Sequence, residues 1–320
     1  MPMGRATVYL LEAFVLLVLA KWAYTGLYRR VCLREELFDK GNVALAVSTA
    51  GYLFGITIAL GGVLAGPSAG WQADLQGIGL YGVMTIAMML VASWLCEKVL
   101  LPSFNNTKEV VEDQNLGTGF VEAGVHIANG LILLAIQQGS GPWWVGVAFW
   151  ALAQAALLIV GLLYERATPH SIHDELERDN AAVGLAFAGV LVGMGNIISL
   201  AVAGDFAGWR DSLTTFAIDA AFGLVILLII KRLTDILLAP GVSLASQQTQ
   251  EEPRIGAGLL EARPAVAVRR LGVRAWWPQR PSRLPLSVPV TAWRSSATPT
   301  PTSCVSTGTW RLCFSSAPAT

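Results

Sequence analysis

Polar side chains inside long apolar segments are the first residues in this sequence that could do chemistry. Glu122, His126 and Asn129 are spaced four and three residues apart within the apolar stretch 117–137, so a helix places them on one face. An ionisable group inside lipid costs roughly 2.5–3.5 kcal/mol on insertion scales. This column predicts a proton relay or the lining of a cation path. Alternatively, Glu122 and His126 bond each other or a neighbouring carbonyl and lock helix packing.

Asp219 is a further candidate for the same polar path. It lies about seven residues into another apolar stretch, 213–238, where an acid is equally costly. The candidate intramembrane path therefore consists of Glu122, His126, Asn129 and Asp219. We expect these side chains to meet in one polar region if the path is used for transport.

No catalytic or metal-binding motif accompanies these residues. The chain contains no nucleophile elbow, HExxH, P-loop or Rossmann glycine pattern. His170, His173 and Asp174 could donate to a metal, but two histidines and an acid in a polar loop seldom form a site. The four cysteines are scattered and include no CxxC pair. The sequence therefore predicts no enzyme activity, no metal and no cofactor.

The composition is that of a membrane protein. The 320 residues are 54% hydrophobic and 14% charged, whereas soluble domains are about 25% charged. The net charge is zero and no basic patch is interleaved with aromatic residues, so a nucleic-acid partner is not expected. Seven apolar stretches reach the roughly 20 residues that span a bilayer. They lie at 7–28, 43–65, 76–96, 117–137, 145–164, 181–203 and 213–238. The predicted fold is an all-α, polytopic transmembrane bundle whose main partner is the lipid bilayer.

The distribution of basic residues predicts the orientation. Ten Lys and Arg residues follow the first, third, fifth and seventh spans, whereas the opposite side carries only Arg5 and Arg210. Positive residues are enriched on the cytoplasmic side. We expect a multi-pass protein of the bacterial plasma (inner) membrane with its N-terminus outside.

The chain contains an internal repeat. Residues 42–102 align without a gap on 180–240, with sixteen identities in 61 positions. Asp219 aligns with Tyr81, so the acid is present in one copy only. Each copy contains an even number of spans, so the copies run in parallel. The sequence predicts a tandem duplication of a four-helix unit.

The helix pairs within each copy begin alike. Asn42, Asn115 and Asn180 each follow an acidic segment and precede a small-residue helix. Asparagine is a favoured N-cap, and acids before it face the positive end of the helix dipole. A second interpretation is a cytoplasmic acidic ring that concentrates cations or polyamines. Its members are Glu36, Asp39, Glu112, Asp113, Glu177 and Asp179.

Small residues recur on one face of the helices that follow these asparagines. The positions are Gly51 and Gly55, Gly124 with Ala128, and Gly189 and Gly193. Small residues at four-residue spacing let helix backbones approach closely in lipid. We expect these three helices to form the packed centre of the bundle.

A fourth repeat begins and then breaks off. Residues 251–262 resemble 111–123 and place Glu261 opposite Glu122, but Arg254 stands where an asparagine is expected. From Arg263 onward the chain is rich in Arg, Pro, Ser and Thr and contains no apolar stretch long enough to span a bilayer. We interpret 1–140 as the first half and 141–262 as a truncated second half whose eighth helix is lost. The tail 263–320 is interpreted as out-of-frame sequence, or as a disordered basic tail lying on anionic lipid.

The repeat motifs resemble those of the YjfL-type family of bacterial inner-membrane proteins, domain of unknown function 350. The resemblance is carried by Asn42, Asn115, Asn180, Glu122 and Gly124, and by the GLLEA sequence at 258–262. It implies a membrane location and peripheral cytosolic partners of the envelope-stress or amine-ligase-like kind. It implies no particular reaction.

Two functions are consistent with these features. In the first, the chain is a channel or transporter for a cation or an amine, with the polar path as its route. In the second, it is a membrane scaffold that recruits cytosolic partners through its acidic cytoplasmic loops.

Overall fold

The structure of the chain, a computed structural model, describes residues 3–27, 32–66, 68–100, 106–139 and 141–238. These residues form helices and connecting turns, and no strand occurs among them. The helices are α1 (Met3–Leu27), α2 (Val43–Leu64), α3 (Trp71–Leu95), α4 (Asn106–Val111), α5 (Leu116–Gln137), α6 (Trp143–Ala167), α7 (Ile172–Glu177), α8 (Ala181–Val202) and α9 (Trp209–Leu238). Single π-helical turns, Glu35–Asp39 and Cys96–Leu100, precede α2 and extend α3.

Seven of the described helices are long and apolar enough to cross a membrane, namely α1, α2, α3, α5, α6, α8 and α9. This confirms the predicted all-α bundle of seven spans. The short helices α4 and α7 and the turn Glu35–Asp39 stand directly before α5, α8 and α2. The proposed tail and the fourth repeat, 251–320, lie outside the described residues.

The three helices that follow the asparagines form the centre of the bundle. α5 packs along its length against α2 on one side and α8 on the other. These three are the most buried spans, whereas α1 and α9 are the least buried. The prediction that the small-residue helices form the packed centre is confirmed by this arrangement.

The three central helices pack through one repeated pair of faces. Counted from its capping asparagine, each helix carries a leading face at positions 4, 8 and 15 and a trailing face at positions 2, 9 and 13. The leading face of α5 contacts the trailing face of α2, and the leading face of α8 contacts the trailing face of α5. The leading faces are Ala46, Ala50 and Thr57 on α2, Gly119, Ala123 and Gly130 on α5, and Gly184, Ala188 and Gly195 on α8.

Both interfaces bring backbones into direct contact. Between α2 and α5, a Cβ added at Gly119 would lie 2.6 Å from the carbonyl oxygen of Ala44, and one added at Gly51 would overlap Ala123. Between α5 and α8, a Cβ at Gly124 would lie 2.8 Å from the Cα of Ala188. The small residues are therefore required by backbone proximity, as expected for helices packed in lipid.

The predicted packing glycines occupy the trailing faces. Gly51 and Gly55 of α2 contact α5, and Gly124 of α5 contacts α8. Gly189 and Gly193 occupy the same positions on α8, where both are buried. The leading face of α2, in contrast, is exposed at Ala46, Ala50 and Thr57.

The three asparagines are N-caps, as predicted. The side-chain oxygen of Asn42 accepts a hydrogen bond from the Leu45 N–H at 2.9 Å, and that of Asn115 accepts one from the Thr118 N–H at 2.9 Å. Asn180 accepts from the first turn of α8 in the same way. Each cap satisfies an N–H that the helix itself leaves unpaired.

The amide groups of two caps also connect successive repeats. The Asn42 amide donates to the carbonyl of Val110 at 2.9 Å, at the end of α4. The Asn115 amide donates to the carbonyl of Leu176, at the end of α7. Each asparagine therefore fixes the start of its own helix and holds the short helix that precedes the next one.

Candidate intramembrane polar site

The polar site is built on one face of α5. Glu122, His126, Asn129 and Gln137 follow one another along this helix, and His126 and Asn129 are fully buried. Fifteen residues separate the first from the last, which at 1.5 Å per residue is about 22 Å along the helix axis. Polar side chains thus extend over most of the roughly 30 Å hydrocarbon layer.

Glu122 lies at the end of a short hydrogen-bonded chain. The Ser48 hydroxyl of α2 donates to the Glu122 carboxylate, and the Tyr24 hydroxyl of α1 lies 2.7 Å from the Ser48 oxygen. Ser48 has one proton, so when it donates to Glu122 the shared proton of the second bond must come from Tyr24. Tyr24 and Ser48 are both buried, so the chain is enclosed by protein.

His126 lies one helical turn beyond Glu122, within a group of aromatic rings. The rings of Tyr24 and Tyr52 stack with centroids 4.3 Å apart, and the His126 ring meets both edge-on at 5.7 and 5.2 Å. The Ser93 hydroxyl of α3 approaches His126 Nδ1 at 3.4 Å. Four helices, α1, α2, α3 and α5, therefore contribute polar groups to the half of the site that contains Glu122 and His126.

The remaining residues of the column have partners on other helices. The Gln154 amide of α6 donates to the Asn129 carbonyl oxygen at 2.5 Å, while the Asn129 amide donates to the Val125 carbonyl at 3.0 Å. The Gln137 amide donates to the Thr85 hydroxyl of α3. Glu122, His126, Asn129 and Gln137 are consequently each paired with a polar side chain from a neighbouring span.

Asp219 does not belong to this group of side chains. It lies half-buried on α9, whose main packing partner among the described helices is α8. The structure thus places three of the four predicted path residues on one face of α5 and the fourth on a different helix.

Several polar partners were not predicted from the sequence. They are Tyr24, Ser48, Tyr52, Ser93, Thr85, Gln137 and Gln154. The sequence contains a signal for two of them, since Ser48 and Tyr52 are one helical turn apart in a mostly apolar helix. The others are single polar residues whose facing partner depends on the tertiary structure.

The acidic segments that precede the central helices make several contacts close to the helix starts. Glu36 is buried and pairs with Lys40 at 2.6 Å, and Glu175 accepts from the Asn180 amide at 2.7 Å. Asp179 accepts from the backbone N–H of Leu116 at 2.8 Å. The capping interpretation is therefore supported for Asp179, whereas Glu36 and Glu175 pair with side chains of their own segments.

Other acids of the predicted ring are exposed, namely Asp39, Glu112, Asp113 and Glu177. Glu109, beside this group, is partly buried, and burial raises the pKa of its carboxyl. A role of the acidic segments in recruiting cytosolic partners stays a prediction. Within the described residues no three His, Cys, Asp or Glu side chains are grouped so as to hold a metal ion.

The fold and the site together define a multi-pass helical membrane protein built from a repeated four-helix domain. A family model described as Domain of Unknown Function (DUF350) matches residues 2–136 and again residues 140–268. The chain belongs to this family, and its domain occurs here twice. The resemblance inferred from the repeat motifs is confirmed, as is the tandem duplication.

A curated relative is similar to the chain over much of its length. It is a UPF0719 transmembrane protein of Aquifex aeolicus (strain VF5), 21% identical over 203 residues, which are 62% of this chain and 73% of the relative. No solved structure is similar to the chain. The chain is accordingly a membrane protein of an uncharacterised family.

Proposed function

We propose that this protein moves a small cation across the membrane and that Glu122 is the group that binds it. The observation that carries the proposal is the polar column on α5, in which Glu122, His126, Asn129 and Gln137 each meet a polar side chain of another span. A carboxylate inside a bundle is costly and is typical of ion and proton pathways. The column reaches far enough to account for most of a transmembrane route.

The confinement of the column to one central helix supports transport over a purely structural role. At the positions of Glu122, His126 and Asn129, α2 carries Thr49, Leu53 and Ile56, and α8 carries Phe187, Leu191 and Met194. α2 and α8 are packed by the same faces as α5 without such a column. Packing of these helices therefore does not require an ionisable pair, whereas a cation path does.

The first half of the chain also supplies the partners of Glu122 and His126. Ser48 and Tyr52 of α2 correspond to Ala186 and Val190 of α8 in the aligned repeat. The second copy of this helix thus lacks both the Ser48 hydroxyl that bonds Glu122 and the Tyr52 ring that packs against His126. We assign the proposed path to the first family domain.

Cation flux into proteoliposomes tests this function. We expect the full chain to carry a Glu122-dependent flux of at least one of H⁺, Na⁺, K⁺ or methylammonium, and Glu122→Gln to reduce it by about 10²-fold or more, the range for loss of a proton-transfer group. Dye-loaded vesicles measure H⁺ flux, and radiolabelled ions measure the others.

Two variants serve as matched controls. Glu12→Gln and Asp219→Asn neutralise acids within other spans, outside the α5 column. Both are expected to leave the flux within about twofold of wild type, because neither residue is in the proposed route. Equal fluxes in wild-type and Glu122→Gln vesicles would contradict the proposal.

We further propose that the protein lies in the bacterial plasma membrane with its N-terminus outside. The excess of Lys and Arg after α1, α3, α6 and α9 supports this orientation. Cys32 is exposed on the predicted inner side, and Ala69 is exposed in the loop between α2 and α3. In intact spheroplasts we expect an impermeant maleimide to label Ala69→Cys but to label Cys32 only after permeabilisation. The reverse labelling pattern would mean that the N-terminus is inside.

A further inference from the structure

We infer that the cation is the proton and that it reaches Glu122 through the hydroxyls of Tyr24 and Ser48. This inference rests on the proposed function and adds the identity of the ion and its route. It depends on direct contacts between the groups around Glu122, on the arrangement of the aromatic rings, and on the direction of the hydrogen bonds.

The contacts around Glu122 favour a proton over a metal cation. Ser48 bonds Glu122 directly, and Tyr24 lies 2.7 Å from Ser48, so the hydroxyls are joined to one another and to the carboxylate. A hard metal cation needs about six oxygen ligands arranged around it. Glu122 is the carboxylate bonded in this chain of hydroxyls, and in the described part of the chain no three acidic, His or Cys side chains are grouped so as to hold a metal ion. A hydrogen-bonded chain of this kind can pass a proton without opening.

The aromatic rings favour a proton over an amine. An organic ammonium ion is held against the open face of an aromatic ring. Here the faces of Tyr24 and Tyr52 are stacked on each other at 4.3 Å with an angle of 20° between the planes. The His126 ring packs edge-on against both. The rings therefore form a closed group and not a cage for a cation.

The hydrogen bonds define a balanced transfer step. A proton arriving at the Tyr24 oxygen lets Tyr24 release its own proton to the Ser48 oxygen, and Ser48 releases its proton to the Glu122 carboxylate. Each hydroxyl loses one O–H bond and gains one, and Glu122 becomes a neutral carboxylic acid. No electron is transferred, and no co-reactant is needed.

Tyr52 provides a second observation that points to a mobile proton. Its hydroxyl is buried, and within the described residues it has no hydrogen-bond partner. An unpaired buried hydroxyl costs about 1–3 kcal/mol and is seldom kept without a use. Its ring is held by Tyr24 and His126, so this additional protonatable group belongs to the same cluster.

Vesicle flux with single-atom changes tests the route. The full chain is placed in liposomes that contain a pH-sensitive dye, and valinomycin with a K⁺ gradient sets the membrane potential. We expect Tyr24→Phe and Ser48→Ala to lower the initial H⁺ flux by about tenfold or more, because each removes one link of the proton chain. Ser48→Thr retains the hydroxyl and is expected to retain the flux.

A buried tyrosine of the second half gives the matched control. Tyr164 of α6 stacks on Phe187 of α8, and Tyr164→Phe removes a hydroxyl outside the Glu122 cluster. It is expected to conduct like wild type. Thermal melting in detergent is measured for every variant, so that a lower flux is interpreted only where the melting temperature is retained. If Ser48→Ala does not fold, the route is tested by the other two variants. It then requires a lower H⁺ flux in Tyr24→Phe and a retained H⁺ flux in Ser48→Thr.

The outcomes separate this inference from the proposed function. Glu122-dependent flux of Na⁺, K⁺ or methylammonium without H⁺ flux would overturn the proton assignment and leave cation transport standing. H⁺ flux that requires Glu122 but is unchanged in both Tyr24→Phe and Ser48→Ala would overturn the route. Absence of any Glu122-dependent flux would overturn both proposals.

Discussion

The substitution Gly124→Leu is expected to prevent assembly of the central helices. An added Cβ at this position would lie 2.8 Å from the Cα of Ala188 and 2.9 Å from its Cβ and carbonyl oxygen. The neighbouring atoms belong to a helix backbone, which cannot move aside as a long side chain could. We expect loss of monodisperse protein after extraction in detergent, and for the smaller change Gly124→Ala a destabilisation of about 1–3 kcal/mol.

Gly77 provides the control for this prediction. It lies in α3, and apart from its own helical turns no atom lies within 4 Å of the position of an added Cβ. Gly77→Ala is expected to preserve or raise the melting temperature, because alanine is the better helix former. If Gly124→Ala and Gly77→Ala melt alike, the close approach of α5 to α8 is not required for stability.

The second large effect is expected from Asn115→Ala. Asn115 is 2% exposed, caps α5 through the Thr118 N–H, and donates to the Leu176 carbonyl and to Glu109. Loss of the cap costs about 1 kcal/mol, and loss of the bond to the Leu176 carbonyl, which keeps the Asp179 N–H as a donor at 2.9 Å, costs about 0.5–1.5 kcal/mol more. We expect a total destabilisation of about 1.5–2.5 kcal/mol, measured by thermal or denaturant unfolding in detergent micelles.

Two further variants divide this effect into its parts. Asn115→Asp keeps the capping oxygen but replaces the amide donor with a carboxylate beside Glu109, so it should still be destabilising. Ser171→Ala removes the cap of the short helix α7, where Ser171 is exposed and accepts from the Asp174 N–H at 3.2 Å. It is expected to cost no more than about 1 kcal/mol. An Asn115→Ala protein as stable as Ser171→Ala would mean that the bond to Leu176 contributes little.

The number of spans and the central helices could be predicted because their causes are local. An apolar run of about 20 residues is sufficient to indicate a span. Capping likewise depends on one side chain and the next few N–H groups, which is why Asn42, Asn115 and Asn180 could be interpreted from their positions alone. The internal repeat in addition identifies which helices are equivalent, and equivalent helices are expected to pack in the same way.

The polar site could be predicted only in part because it depends on contacts between distant segments. Glu122, His126 and Asn129 share a helix, so periodicity places them together. Tyr24 and Ser48 come from other helices, and nothing in their spacing indicates that they meet Glu122. Asp219 is an acid within an apolar stretch, and this alone suggests that it belongs to the polar path. Residue type and surrounding sequence, however, do not determine which helix face Asp219 occupies.

The backbone before each cap was also beyond sequence reasoning. Gly41, Gln114 and Asp179 adopt left-handed conformations with φ of 66°, 53° and 57°. Only glycine adopts such a conformation without cost. The repeat unit therefore includes a left-handed backbone turn. Its residue is different in each of the three copies, so the sequence gives no common signal for it.

The pairing of leading and trailing faces has a consequence for how such proteins can change in length. Each central helix carries both halves of the junction, so a duplicated helix pair arrives with the surface needed to join its predecessor and the surface needed to receive its successor. Ala123 on Gly51 and Ala188 on Gly124 are two instances of one such joint. Gene duplication can thus extend the series of central helices without a new interface having to evolve. Glu122 and its partners show that a single copy can then acquire polar residues that the other copies lack.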